Sequence, residues 1–190
     1  MSALGLLETR HIPSGYLALD RMVKAAEVTV VKAHSICSGR FLIILQGETA
    51  AVSSAVEAGE GLLPERRIAG SFVIPGVGEE VARLLSLDGA PEEDDSAEGA
   101  AFGFAEFKSV ASGIKGADDA GKRARVALKR FVMGQGINGK SWFLLSGETA
   151  AVSEALDTLA TTMGEYLLDS SLIPAPDGQV SALFERSTAR

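Results

Sequence analysis

Gly47-Glu48-Thr49-Ala50-Ala51-Val52-Ser53 recurs unchanged as Gly147-Glu148-Thr149-Ala150-Ala151-Val152-Ser153. The likeness runs outward from this heptapeptide. Upstream, Ala3-Leu4-Gly5-Leu6-Leu7-Glu8 answers Ala101-Phe102-Gly103-Phe104-Ala105-Glu106, and Asp20-Arg21-Met22-Val23-Lys24 answers Asp118-Asp119-Ala120-Gly121-Lys122. The offset is 98 up to this point and 100 from Gly39-Arg40 against Gly139-Lys140 onward, so the second copy carries two extra residues just before that glycine. A period this long lies outside the range of solenoids and propellers and means two tandem copies of one compact domain. In 190 residues, domains of about 90 residues each sit near the low end of independent stability, which predicts burial against neighbours and oligomerisation.

The chain carries a net charge of −7, but residues 88–98 hold six acids and no base, leaving −1 for the rest. That stretch reads as a solvated linker at the domain boundary, because it has too little apolar surface to order itself. The organisation is therefore a first domain over residues 1–88, a linker over 89–99 and a second domain over 100–190. No basic stripe interleaved with aromatics runs through the remainder, which argues against a nucleic-acid partner. No apolar run approaches a membrane span. A start without the basic and apolar blocks of a signal peptide, together with a single cysteine, favours the cytoplasm.

Periodicity gives the order β-α-β-β-α-β-α in each copy. In the first, strands are predicted over 3–12, 27–32, 41–45 and 68–74, with helices over 16–26, 49–58 and 79–87. The second copy repeats them at 101–108, 112–123, 125–133, 141–146, 148–161, 166–173 and 179–185. The β-branched Glu27 to Lys32 run and the continuous apolar Phe41 to Leu45 run are strand signals. Leu19, Met22, Val23 and Ala26 share one helical face. The pattern suits antiparallel sheets with helices on their faces, an α+β fold.

The Ala-Leu-Gly-Leu-Leu-Glu-Thr opening, the Asp20-x-x-x-Lys24-Ala-Ala-x-Val28 helix end and the Gly47-Glu48-x-x-Ala51-Val52 turn resemble the bacterial microcompartment shell domain. The resemblance covers both copies. It implies two tandem ferredoxin-like shell domains of the non-permuted type, three chains forming a homotrimer that mimics the family's hexagonal hexamers and assembles with hexameric and pentameric shell proteins. Lys24 and Lys122 match the lysine through which family hexagons meet edge to edge. The sequence departs from the family at its last strand end. Ile74-Pro75-Gly76 and Ile173-Pro174-Ala175-Pro176-Asp177 stand where Ile-Pro-Arg-Pro-His is common.

Three groups of residues are candidates for chemistry. Gly134-Gln135-Gly136-Ile137-Asn138-Gly139 satisfies a dinucleotide-loop pattern, but such a loop must lead into a helix, whereas Lys140-Ser141-Trp142-Phe143-Leu144-Leu145 is a strand. A glycine-rich connection between strands is favoured, and the resemblance makes it a lining of the central pore. Cys37, in Ser35-Ile36-Cys37-Ser38-Gly39, aligns with Ile137 of that loop. A lone cytoplasmic cysteine is ordinarily an incidental small side chain. The segment nevertheless resembles the Ile-Cys-Pro-Gly-Lys loop of propanediol-utilisation tandem shell proteins, whose pore cysteines hold a [4Fe–4S] cluster. That resemblance implies one cluster per trimer held by three Cys37 thiolates, with Ser35, Ile36, Ser38 and Gly39 lining the pore beside residues 134–139 and Arg40 nearby to favour the thiolate. His11 reads as structural, and His34 as a solvated position close to the metal site.

Glu8 and Glu106 read as strand positions, and no nucleophile, base and orienter can be assembled, so the chain reads as non-enzymatic. The alternatives are a tile whose pore passes small metabolites, or a stand-alone oligomeric metabolite-binding or redox protein.

Overall fold

A computed structural model of the chain describes residues 2–87, 101–134 and 136–185. The acidic linker, residues 89–99, lies outside the described residues, as does Gln135. The first half runs β1 (Ala3–Thr9), α1 (Ile12–Ala25), β2 (Thr29–Ile36), β3 (Arg40–Gly47), α2 (Thr49–Leu62), β4 (Ile68–Ile74) and α3 (Glu79–Leu84). The second runs β5 (Ala101–Phe107), α4 (Val110–Arg123), β6 (Ala127–Met133), β7 (Ser141–Gly147), α5 (Thr149–Thr162), β8 (Leu167–Ile173) and α6 (Gly178–Glu185). Each half forms a four-stranded antiparallel sheet, in the orders β2-β3-β1-β4 and β6-β7-β5-β8. The α+β expectation and its element order hold in both halves.

The boundaries shift for local reasons. Helix α1 begins at Ile12, ahead of the apolar face that signals it, because Pro13 lies in the first turn, where its fixed φ suits the helix and its missing N–H is not needed. Helix α4 begins at Val110 behind a reciprocal cap: Ser109 Oγ accepts from Ser112 N at 3.1 Å, and Ser109 N donates to Ser112 Oγ at 3.1 Å. Strand β2 continues to Ile36, which pairs with Arg40 across a turn of three residues.

In the first half, α1 and α2 cover one sheet face, where Ala18, Met22, Val52, Ala55 and Val56 meet Leu7, Phe41, Ile43 and Leu45. Gly5 is small so that α2 can approach: a Cβ there would stand 2.8 Å from Val56 Cγ2. The other face is covered from the second half. Leu4, Leu6, Leu42, Ile44 and Ile74 belong to one apolar cluster with Val110, Ala111, Ile114 and Ala117 of α4. All seven residues of β1 are consequently buried. Helix α3 closes the joint, with Gly78 N donating to Asp118 Oδ1 at 2.7 Å and Leu128 N to Glu80 Oε2 at 2.9 Å. Strand β5, the counterpart of β1, instead alternates buried and half-buried residues. Among the described residues the outer face of the second sheet is met by its own α6, whose Phe184 packs on Phe102 and Phe104.

Candidate functional site

The turn at Cys37–Gly39 and the loop over residues 134–140 come together, although 100 residues of chain separate their matching positions. Ser38 Oγ is hydrogen-bonded to Asn138 Oδ1 across them. Both loops rely on left-handed backbone: φ is +65° at Ser38, +70° at Gly39, +57° at Asn138 and +73° at Gly136 and Gly139. Ser38 decides one question about this turn. A proline is locked near −65°, so the Pro of the Ile-Cys-Pro-Gly-Lys pattern cannot adopt the conformation found at position 38.

Cys37 is half-buried at the first position of the turn. Its thiol pKa is lowered, chiefly by the backbone amide of Gly136; desolvation opposes this, and the amide of Asn138 and the hydroxyl and amide of Ser38 add smaller contributions in the lowering direction. Amides from the second domain thus favour the thiolate, the form that ligates metals and reacts. Arg40 does not take part in this. Its Nη1 is turned into the joint, 2.9 Å from Glu8 Oε1 and 3.0 Å from both Lys108 O and Gly139 O. The expectation that it favours the thiolate is therefore replaced by the amides as cause. His34 is exposed on β2 and Ser35 is exposed beside it, while Ile36 is partly buried against the shared apolar cluster. Among the described residues, no group of three or more His, Cys, Asp or Glu side chains within one chain is placed to hold a metal. The residues fit a cluster in one respect only: each chain presents one accessible thiol with thiolate character. Gly134 sits against Ile36 and Val110, and Ile137 and Asn138 form the turn that leads to β7, so the glycine-rich segment enters a strand as read.

The residue that sequence reasoning undervalued is Glu8. It is fully buried, and its carboxylate joins three donors: Arg40 Nη1 on Oε1, and the amides of Val110 and Ala111 on Oε2 at 2.7 and 3.1 Å. A side chain of the first domain therefore caps the first turn of α4 in the second, where both the open amides and the helix dipole favour an anion. Burial raises its pKa, and Arg40 and the two amides offset this only in part. An acid in a largely apolar strand, with a base at or just before the start of the strand paired to it in each copy, Arg40 and Lys140, is the signal that marks it. The counterpart, Glu106, is half-exposed and pairs with Lys140 at 3.1 Å.

The two lysines matched to edge contacts sit at corresponding helix ends in different surroundings. Lys24 is exposed and pairs with Asp20 at 2.7 Å, whereas Lys122 is half-exposed and pairs with Asp118, which is buried in the joint.

The BMC domain model matches residues 3–77 and again 101–176. The chain belongs to the BMC-domain family. It is 34% identical over 176 residues to the bacterial microcompartment shell protein PduT of Citrobacter freundii, covering 92% of each chain. It is 42% identical over 72 residues to the carboxysome shell protein CcmK2 of Synechococcus elongatus, spanning 38% of this chain and 69% of that one. A crystal structure of a microcompartment protein from Desulfitobacterium hafniense matches with a TM-score of 0.73 at 33% identity, over 96% of this chain and 99% of that one. These matches agree with two BMC domains in tandem, each an α+β unit. No described helix is long and apolar enough to cross a membrane.

Proposed function

We propose that the chain is a structural, non-enzymatic shell tile of a bacterial microcompartment in the cytoplasm. Its relatives are named as shell proteins, one of them over nearly the whole length of both chains. The working form is a homotrimer in which six domains ring a pore, and it packs beside hexameric and pentameric shell proteins. Lys24 and Lys122 serve the lateral edges.

The observation that carries the pore reading is the meeting of the Cys37 turn with the 134–139 loop, with amides of one domain favouring the thiolate of the other. Three copies of the turn around a threefold axis would gather three Cys37 thiolates, the ligand set for a [4Fe–4S] cluster with one iron left open, and such a cluster would pass electrons through the shell wall. Ser35, Ile36, Ser38, Gly39 and residues 134–139 line the opening. The left-handed Ser38 favours a second reading, because this turn differs in backbone from the proline-containing one. In that reading the pore passes small polar molecules and Cys37 lines it without metal.

Purification without oxygen, with iron and sulfide analysis, separates the two. The cluster reading expects a brown protein with about four irons per trimer, and Cys37→Ser to be colourless and still trimeric. A colourless wild-type trimer that cannot be reconstituted with iron and sulfide leaves the metabolite pore. Incorporation into cages with hexameric shell proteins tests the tile itself.

A further inference from the structure

The joint inside the chain shows how a sheet of this type receives a neighbouring helix. Glu8 on β1 is paired in register with Gly70 on β4, and the start of α4 sits over both. A Cβ at position 70 would stand 2.7 Å from Ser109 Oγ and 3.5 Å from Ala111 Cβ. The contact is therefore closed by two small residues, Gly70 and Ser109, with Ser109 buried and capping its own helix.

The same two surfaces exist a second time, on opposite ends of the chain, and among the described residues no helix start sits on the one and no sheet on the other. In the second sheet Glu106 is paired in register with Asp169, and Leu168, Asp169 and Ser170 are exposed where Ala69 and Gly70 are buried and Ser71 half-buried. In α1 the helix start has no side-chain cap, His11 is exposed at the position of Ser109, and Tyr16 is 61% exposed where Ile114 is fully buried. Pro13 stands where Ala111 gives its amide to Glu8. A proline has no N–H to give, so a carboxylate at this second joint finds one of the two amides missing.

We propose that the second sheet of one copy receives the start of α1 from another copy, and that an Asp169–His11 pair replaces the internal Gly70–Ser109 contact there. This rests on the ring reading above. The pair adds, through an imidazole N–H donated to a carboxylate, a polar contact at a joint where Pro13 leaves the carboxylate matching Glu8, that of Glu106, one amide short. Glu106 with its Lys140, and Lys108 with its Glu165, flank it on the receiving side, and Arg10 flanks His11 on the entering side. Two larger residues make this joint wider than the internal one. They also make it selective: the close approach at Gly70, where even a Cβ would stand 2.7 Å from Ser109 Oγ, is too tight for an imidazole, and Ser109 carries no imidazole N–H for Asp169. Each sheet therefore accepts one of the two helices, and the contact runs head to tail, the type that generates closed rings.

The test is a charge exchange read by sedimentation of the full chain over a dilution series. Asp169→Lys and His11→Asp should each raise the trimer dissociation constant about tenfold or more, and the two together should return it to within about threefold of wild type. Both residues are exposed in the isolated chain, so circular dichroism should show all variants folded. A trimeric wild type whose single variants dissociate like the parent, or whose double variant is no better than the weaker single, overturns the pair and leaves the ring standing. A wild type that forms no ring overturns both.

Discussion

Glu8→Ala should break the joint between the two domains. The substitution removes a carboxylate that is fully buried and leaves behind the amides of Val110 and Ala111 and the guanidinium of Arg40, itself only 15% exposed. Removing one partner of a buried pair costs about 3–5 kcal/mol, because the other charge stays buried and unmatched. Here Arg40 keeps the carbonyls of Lys108 and Gly139, which argues for the lower end, about 3 kcal/mol. Glu8→Gln keeps the shape and one strong acceptor, and should cost about 1–2 kcal/mol. Urea unfolding at protein concentrations spanning tenfold separates this loss from any assembly contribution. The two variants should also differ from wild type in pH dependence. The pKa of Glu8 is raised in the fold above its ordinary 4.5, so the folded state holds this proton more tightly than the unfolded chain. The stability that this proton linkage contributes is complete below 4.5 and is lost as the pH climbs through the raised value. Wild type should lose stability relative to Glu8→Gln over that interval. An alanine variant within about 1 kcal/mol of wild type, or wild type and Glu8→Gln running parallel across that window, would show that Glu8 does not hold the joint.

The remaining expectations concern the pore and the edges. Ser38→Pro should lower the melting temperature and free the Cys37 turn from Asn138, costing about 1–3 kcal/mol, because proline cannot take the φ of +65° found there; an unchanged melting temperature refutes that backbone assignment. Cys37→Ser should leave melting within about 0.5 kcal/mol of wild type, since the thiol is half-buried at the first position of a turn, while abolishing thiolate alkylation near neutral pH; a large loss of stability would mark it as structural. Lys24→Ala with Lys122→Ala should reduce entry into mixed shells while sparing the trimer, and wild-type incorporation would show that these lysines do not carry the edge contact. Of the two, Lys122→Ala alone should cost more stability, because it leaves Asp118 buried without its cation; equal melting of the two single variants would refute this.

The repeat was enough to read the fold from sequence, because Gly5 and Gly103, the paired apolar strands and the Gly-Glu-Thr turns are local signals that each copy writes in full. Periodicity places a helix start late where the cap, not the apolar face, sets the boundary, as with Pro13 and Ser109. The asymmetry between the copies was out of reach. Glu8 and Glu106 sit at matching positions of corresponding strands, yet one is buried and the other half-exposed, because the second face of a sheet is covered by whatever neighbour arrives there. A strand's own alternation carries no record of that neighbour. The same limit explains Arg40, whose proximity to Cys37 in sequence suggested a role at the thiol, while register sends it to Glu8 instead.

The turn after β2 has three residues and the loop after β6 spans residues 134–140. A ring built from one repeated domain must present every aperture side chain six times, so a ligand set of three is closed to it by symmetry. Duplication followed by divergence of one loop lifts that restriction. In the proposed ring the chain would keep a hexagonal outline for its neighbours while its interior counted in threes, and Cys37, present in one loop and matched by Ile137 in the other, is where that freedom would be used.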